Sequence, residues 1–218
     1  PELIEKPVEG STGQGSAWRF THLRLGAAAI FTYVGAEVAI GSILINFLGQ
    51  PSMGSIPHAV AAGYVSLYWG GAMVGRFIGS FALLYIRAER ALAAVATSAL
   101  ILVATTLFGH GHVAMWAIVS CGLFNSVMWP CIFPLSLKGL GRFTSQGSGI
   151  LVMMVVGGAI IPEVQGFLAD KFGYQRSFVI VLLCYAYLIY FALSGHKVRQ
   201  PRYSSLPDES APSFTPVG

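Results

Sequence analysis

Charge is what this chain has least of. Only 10% of its 218 residues are Asp, Glu, Lys or Arg, against about 25% in a soluble domain. That deficit argues against an ordinary soluble fold. The 13 basic residues exceed the 9 acidic ones, but they sit singly or in pairs between apolar runs. No basic patch of the kind that holds nucleic acid is present. Cysteine is also scarce. Cys121, Cys131 and Cys184 form no C-x-x-C pair and are odd in number, which excludes a disulfide framework and a cysteine zinc site. They read as small packing residues. No secretory signal pattern opens the chain. No nucleophile triad or phosphate-binding loop stands out. Gly13-Gln14-Gly15 lacks the strand and helix that a nucleotide loop needs. His110 and His112 flank Gly111 without further ligands, too few for a metal centre. The expectation is therefore no enzyme, no catalytic residue, no cofactor and no metal.

What the chain has is long apolar runs, with 55% hydrophobic residues and 26 glycines. Six runs are predicted to be helices: 23–48, 58–86, 91–108, 113–137, 146–168 and 174–194. Each reaches or approaches the ~18 residues needed to cross a bilayer. Glycine suits helices packed closely in lipid. Residues 1–21 are polar and read as a linker, 22–195 as a six-helix transmembrane bundle, and 196–218, rich in Pro and Ser, as a disordered tail. The chain begins with Pro1 and not Met, which reads as part of a longer product.

Lys and Arg set the orientation. Lys6, Arg19 and Arg24, then Arg87 and Arg90, then Lys138 and Arg142, then Lys197, Arg199 and Arg202 fall on one side. Lys171 and Arg176 fall on the other. Both termini are thus expected in the cytoplasm. The six spans also repeat in character. The first of each triplet carries polar residues, the second is rich in Gly, and the third is plain. That order is expected of inverted three-helix repeats in transporters.

Glu37 is a carboxylate in the middle of the first apolar run. A charge at such depth is costly and usually faces a substrate path, a water-filled cavity or a buried partner. The i, i+3, i+4 spacing puts Tyr33, Ile40, Gly41 and Leu44 on its face. A carboxylate accepts from several hydroxyls at once, as a sugar supplies. The plainer reading is a structural acid paired with a nearby cation or a backbone amide. Arg76, the other deep charge, lies ~15 Å in from the cytoplasmic end against ~21 Å for Glu37, at 1.5 Å per residue. A pair between them is within side-chain reach, and snorkelling toward the interface is the alternative. Gly71, Gly75 and Gly79 form overlapping G-x-x-x-G units and read as a packing stripe.

The fourth span places Gly122, Asn125, Trp129 and Ile132 on one helical face. Asn offers a donor and an acceptor, and Trp a flat ring with one N–H. That combination suits a sugar ring, and equally a helix–helix contact. Pro130 cannot donate to the carbonyl of Ser126, so a kink is predicted there, and a second at Pro134. The fifth span holds Pro162, which frees the carbonyl of Gly158, with Glu163 nearer the outer surface and Gln165 facing either substrate or a neighbouring helix.

These residues resemble a known family. Tyr33-Val34-Gly35-Ala36-Glu37-Val38 is similar to the seventh helix of the fucose, glucose and galactose permeases of the major facilitator superfamily. Gly75-Arg76-Phe77-Ile78-Gly79 resembles their eighth helix. Phe124-Asn125-Ser126 through Pro130 to Ile132-Phe133 resembles the tenth. Gly157 through Pro162 and Gly166 through Asp170 resemble the eleventh. The resemblance runs from Leu23 to Ser194. It implies an all-α membrane protein and the carboxyl-terminal half of a twelve-helix sugar–proton symporter in a bacterial inner membrane. The implied partners are a monosaccharide, a proton, the lipid bilayer and an amino-terminal six-helix half. On this reading Glu37, Asn125 and Trp129 face the substrate, with Tyr33 and Gln165 beside them, while Arg76, the glycine stripe, Pro130 and Pro162 serve packing or gating. The alternatives are a transporter of another organic solute or drug, and a membrane interaction subunit that transports nothing.

Overall fold

The computed structural model describes residues 16–198. The expected linker and tail lie largely outside the described residues. Every regular element among the described residues is a helix. α1 (Thr21–Leu48) is followed by α2 (His58–Ala82) and α3 (Ala88–Phe108). The fourth span is two helices, α4 (Gly111–Asn125) and α5 (Met128–Leu137). The fifth is α6 (Thr144–Met153) and α7 (Gly157–Phe172), joined by a single 3-10 turn over Met154–Val156. The sixth is α8 (Tyr174–Ser177) and α9 (Val179–Tyr190), which ends in a π-helical turn. Six rods therefore stand where six runs are predicted. By length and apolar composition four helices qualify to cross a membrane, and five if α4 and α5 count as one bent span. α2, with its Gly, Ser, Tyr and Trp residues, is the sixth rod.

The rods run back and forth between two ends. At one end a turn before α1 is tied across the bundle by the Ala17 N–H, which donates to Gln146 Oε1 at 3.0 Å. Arg87 pairs with Glu89 there, at the start of α3. At the opposite end Gln175 Nε2 donates to the carbonyls of Thr106 (3.0 Å) and Gly109 (2.6 Å), where α3 meets α4. Phe47 packs edge-on against Phe178 there, with ring centroids 5.1 Å apart. Gly54 (φ 93°) and Gly173 (φ 89°) make the tight turns at this end. Residues with a Cβ adopt that backbone reluctantly.

The packing has a two-fold pattern. α1 packs along α7, and α2 packs along α4. α1 also meets α9, as α3 meets α4, and α3 meets α9. Exchanging the first three spans for the last three turns each of these pairings into another of the set. Both main seams use the same device. A Cβ on Gly157 of α7 would collide with the Phe31 carbonyl of α1, and one on Gly75 of α2 would collide with the Leu123 carbonyl of α4. Small residues let backbones come this close, which is how helices associate without a hydrophobic driving force between them. α1 lies at the centre and is buried along most of its length.

Two predicted kinks resolve differently. The fourth span bends by 41° between Asn125 and Met128. Pro130 falls in the first turn of α5, just past the bend, and cannot supply the N–H that an unbroken helix would direct at the Ser126 carbonyl. Pro134 makes no second break, and α5 runs through it to Leu137.

Candidate functional site

The polar face is assembled by three rods. On α1, Tyr33 and Glu37 are one turn apart, with the Tyr33 hydroxyl beside the Glu37 carboxyl. Glu37 itself is half-buried. From α5, Trp129 approaches Tyr33, with ring centroids 6.4 Å apart, and stacks on Phe133 at 5.7 Å with 20° between the planes. From α2, the Trp69 ring lies over Gly41, where a Cβ would be 3.0 Å from Trp69 Cζ2. Gly41 therefore makes room for an indole one turn beyond Glu37. Trp69 remains 45% exposed and, with Arg76, Met73 and Phe77, lines a groove of about 380 Å³. Arg76 is close enough to Glu37 for its charge to act on the carboxylate, but the two form no direct ion pair. The result is one acid, one guanidinium and the partly exposed rings of Trp69 and Trp129 gathered near Tyr33, which is itself buried. Chemically it can accept hydrogen bonds from hydroxyls while offering ring faces to apolar C–H surface.

Asn125 lies behind that face and not on it. It is 0% exposed, and its amide is bonded at both atoms. The Tyr185 hydroxyl donates to Asn125 Oδ1 at 2.6 Å, and Asn125 Nδ2 donates to the Tyr68 hydroxyl at 2.8 Å. Tyr68 in turn donates to the main-chain carbonyl of Glu37 at 3.0 Å. The helical face predicted for Asn125 and Trp129 is interrupted because the bend falls between them. The i, i+4 relation holds only within a continuous helix.

Gln165 sits in the α1–α7 seam. The buried residues of α7 are Gly157, Ile161, Gln165 and Ala169, a four-residue repeat that faces α1. Gln165 is fully buried, and neither amide atom has a hydrogen-bond partner among the described residues. Pro162 is inside α7 on the neighbouring side. It borders a second cavity of about 490 Å³ near the Gly173 end, where Ser42, Asn46, Glu163, Phe167, Asp170 and Tyr174 also line the wall. Of the glycine stripe, Gly75 and Gly79 press on Leu123, Ser126 and Val127 at the α4–α5 break, while Gly71 makes only ordinary contact with Leu123. Tyr68 and Tyr185 escape sequence reasoning as parts of this arrangement, whereas the seven-residue spacing of Trp69 and Arg76 places them on the one face that lines the groove. The available signal is that a buried Tyr hydroxyl in an apolar span needs a partner.

No protein-family profile matches the chain. It is similar to the glucose/galactose transporter of Brucella abortus, with 51% identity over 198 residues that cover 90% of this chain and 48% of that protein. It is similar to the putative glucose/galactose transporter of Helicobacter pylori, with 41% identity over 199 residues, 89% of this chain and 48% of that one. Among solved structures it resembles the fucose–proton symporter of Escherichia coli, with TM-score 0.79 and 33% identity, over 84% of this chain and 44% of that one. The chain spans about half the length of the relatives it matches.

Proposed function

Because this chain belongs to the fucose, glucose and galactose permeases of the major facilitator superfamily, we propose that it is the carboxyl-terminal half of a proton-coupled monosaccharide transporter. An amino-terminal six-helix half of the same transporter completes the cavity, and the two alternate access to it. The carrying observation is the half-buried Glu37 carboxyl beside the Tyr33 hydroxyl, with the half-buried Trp129 ring next to the buried ring of Tyr33. A hexose has hydroxyls around its edge and C–H groups on its faces, and this surface answers both. Trp69 and Arg76 extend it along α2. Gln165, fully buried beside α1, has no hydrogen-bond partner for either amide atom among the described residues, so its amide is free to meet a hydroxyl.

The proposed location is a bacterial inner membrane with both termini in the cytoplasm. The alternation of the six rods and the gathering of Arg19, Arg87 and Lys138 toward one end support that orientation.

Glu37→Gln in the full transporter tests the reading, since it removes the charge and keeps the shape. Hydrogen bonds to a charged group contribute ~1.5–3 kcal/mol, so uptake efficiency for labelled glucose, galactose or fucose should fall about 10- to 100-fold at normal expression. Unchanged uptake kinetics would remove Glu37 from the site.

A further inference from the structure

We propose that Tyr68 is a positioning residue that fixes Glu37 from behind the polar face; this rests on the reading of Glu37 as part of the sugar site. The hydrogen-bond chain that ends on Glu37 has a forced direction. Asn125 Nδ2 can only donate, so the Tyr68 hydroxyl must accept from it. Its own proton then goes to the Glu37 carbonyl. That carbonyl, inside α1, already has the helical bond from the amide four residues on. The Tyr68 bond is therefore a second one, to the remaining lone pair. It is not required to satisfy the carbonyl, and what it does is locate the turn of α1 that bears the acid.

Tyr68 is itself held firmly. It is fully buried, as are Asn125 and Tyr185. A Cβ on Gly122 would collide with the Tyr68 carbonyl, so α4 grips the backbone of α2 at this residue. Trp69 lies on Gly41 next to it. Asn125 is the last residue of α4, directly before the 41° bend that leads to Trp129. The chain of bonds thus joins the acid of the site to the hinge that carries its indole. A change of angle at the hinge reaches Glu37 through one hydroxyl.

The control is built into the same helix. Tyr187 of α9 donates to the Leu25 carbonyl of α1 at 2.9 Å, the same type of bond, twelve residues before Glu37. Tyr68→Phe and Tyr187→Phe each delete one tyrosine–carbonyl bond onto α1, and Tyr68→Phe also leaves the buried Asn125 Nδ2 without its acceptor, so a purely structural role predicts a larger loss of thermal stability for Tyr68→Phe and no effect of either on substrate affinity. In the full transporter, Tyr68→Phe should raise the KM for hexose uptake about fivefold or more, the effect of misplacing one substrate hydrogen bond, with kcat little changed. Tyr187→Phe should leave KM where it is. A second readout does not need transport. Dicyclohexylcarbodiimide labelling of Glu37, followed by peptide mass spectrometry, should run at least about threefold faster in Tyr68→Phe than in Tyr187→Phe, because the freed turn exposes its carboxyl to more orientations. If the wild-type carrier shows no saturable hexose uptake, the permease reading falls and labelling alone decides this one. Equal labelling rates in the two variants overturn the positioning role, as does an equal KM shift.

Discussion

A single methyl group on Gly75 should separate α2 from α4. The Cβ would collide with the Leu123 carbonyl oxygen and lie 2.5 Å from Ser126 Oγ. Neither neighbour can step aside. The carbonyl belongs to the α4 backbone, and the Ser126 hydroxyl already donates to it at 2.9 Å. Overpacking of this kind costs ~1–3 kcal/mol. Ala also gains about 0.8–1.0 kcal/mol of helix propensity over Gly, so the raw effect of Gly75→Ala is blurred. Gly63→Ala on the same helix removes the ambiguity, because its Cβ meets no atom within 4 Å. It takes the propensity gain without the clash. The difference between the two variants then isolates the contact and should be roughly 1–3 kcal/mol in favour of Gly63→Ala. At ~2–4 °C per kcal/mol for a domain of this size, the melting temperatures should differ by several degrees. The assay is thermal unfolding of the chain in detergent with a thiol-reactive dye, since Cys121, Cys131 and Cys184 are all buried and react on unfolding. A Gly75→Ala protein as stable as Gly63→Ala would refute the claim that backbone contact at glycine holds this seam.

Two further outcomes bear on the site. Gln165→Leu fills the same space without an unpaired amide, and a buried polar group without a partner costs ~1–3 kcal/mol; melting temperature should rise, and hexose uptake should fall if the amide meets the sugar, so a stabilised variant with wild-type uptake makes Gln165 a seam residue only. Pro130→Ala restores an N–H within reach of the Ser126 carbonyl and should straighten the 41° bend, drawing Trp129 away from Tyr33; uptake at the wild-type rate would show that the bend is dispensable.

The rods were legible because apolar run length is a direct consequence of bilayer thickness. All six begin and end within a few residues of the predicted runs, and the one sharp bend falls at the carbonyl that Pro130 deprives of a donor. Tyr33 and Glu37 were legible for the same reason, since one turn of one helix sets their spacing. Asn125 was not. The i, i+4 spacing relates it to Trp129 only along a continuous helix, which the bend divides, and the two partners of its amide, Tyr68 and Tyr185, are 57 and 60 residues away in the chain. Periodicity reports the face of a residue on its own helix. It says nothing of which hydroxyl on another helix will meet it there. The seat of Trp69 over Gly41 is not legible either, because the vacancy it fills is a missing side chain on a different rod.

The two glycine seams have a mechanical consequence. Where helices meet through interdigitated side chains, rotamer changes let them slide. Where they meet carbonyl against Cα, as at Phe31–Gly157 and Leu123–Gly75, no rotamer is available to yield. The paired rods must therefore travel together at these seams, α1 with α7 and α2 with α4, while the fourth span turns at the Ser126–Val127 break. Each seam is thus a rigid couple, and the sharp bend of the fourth span lies next to the one that carries Gly75.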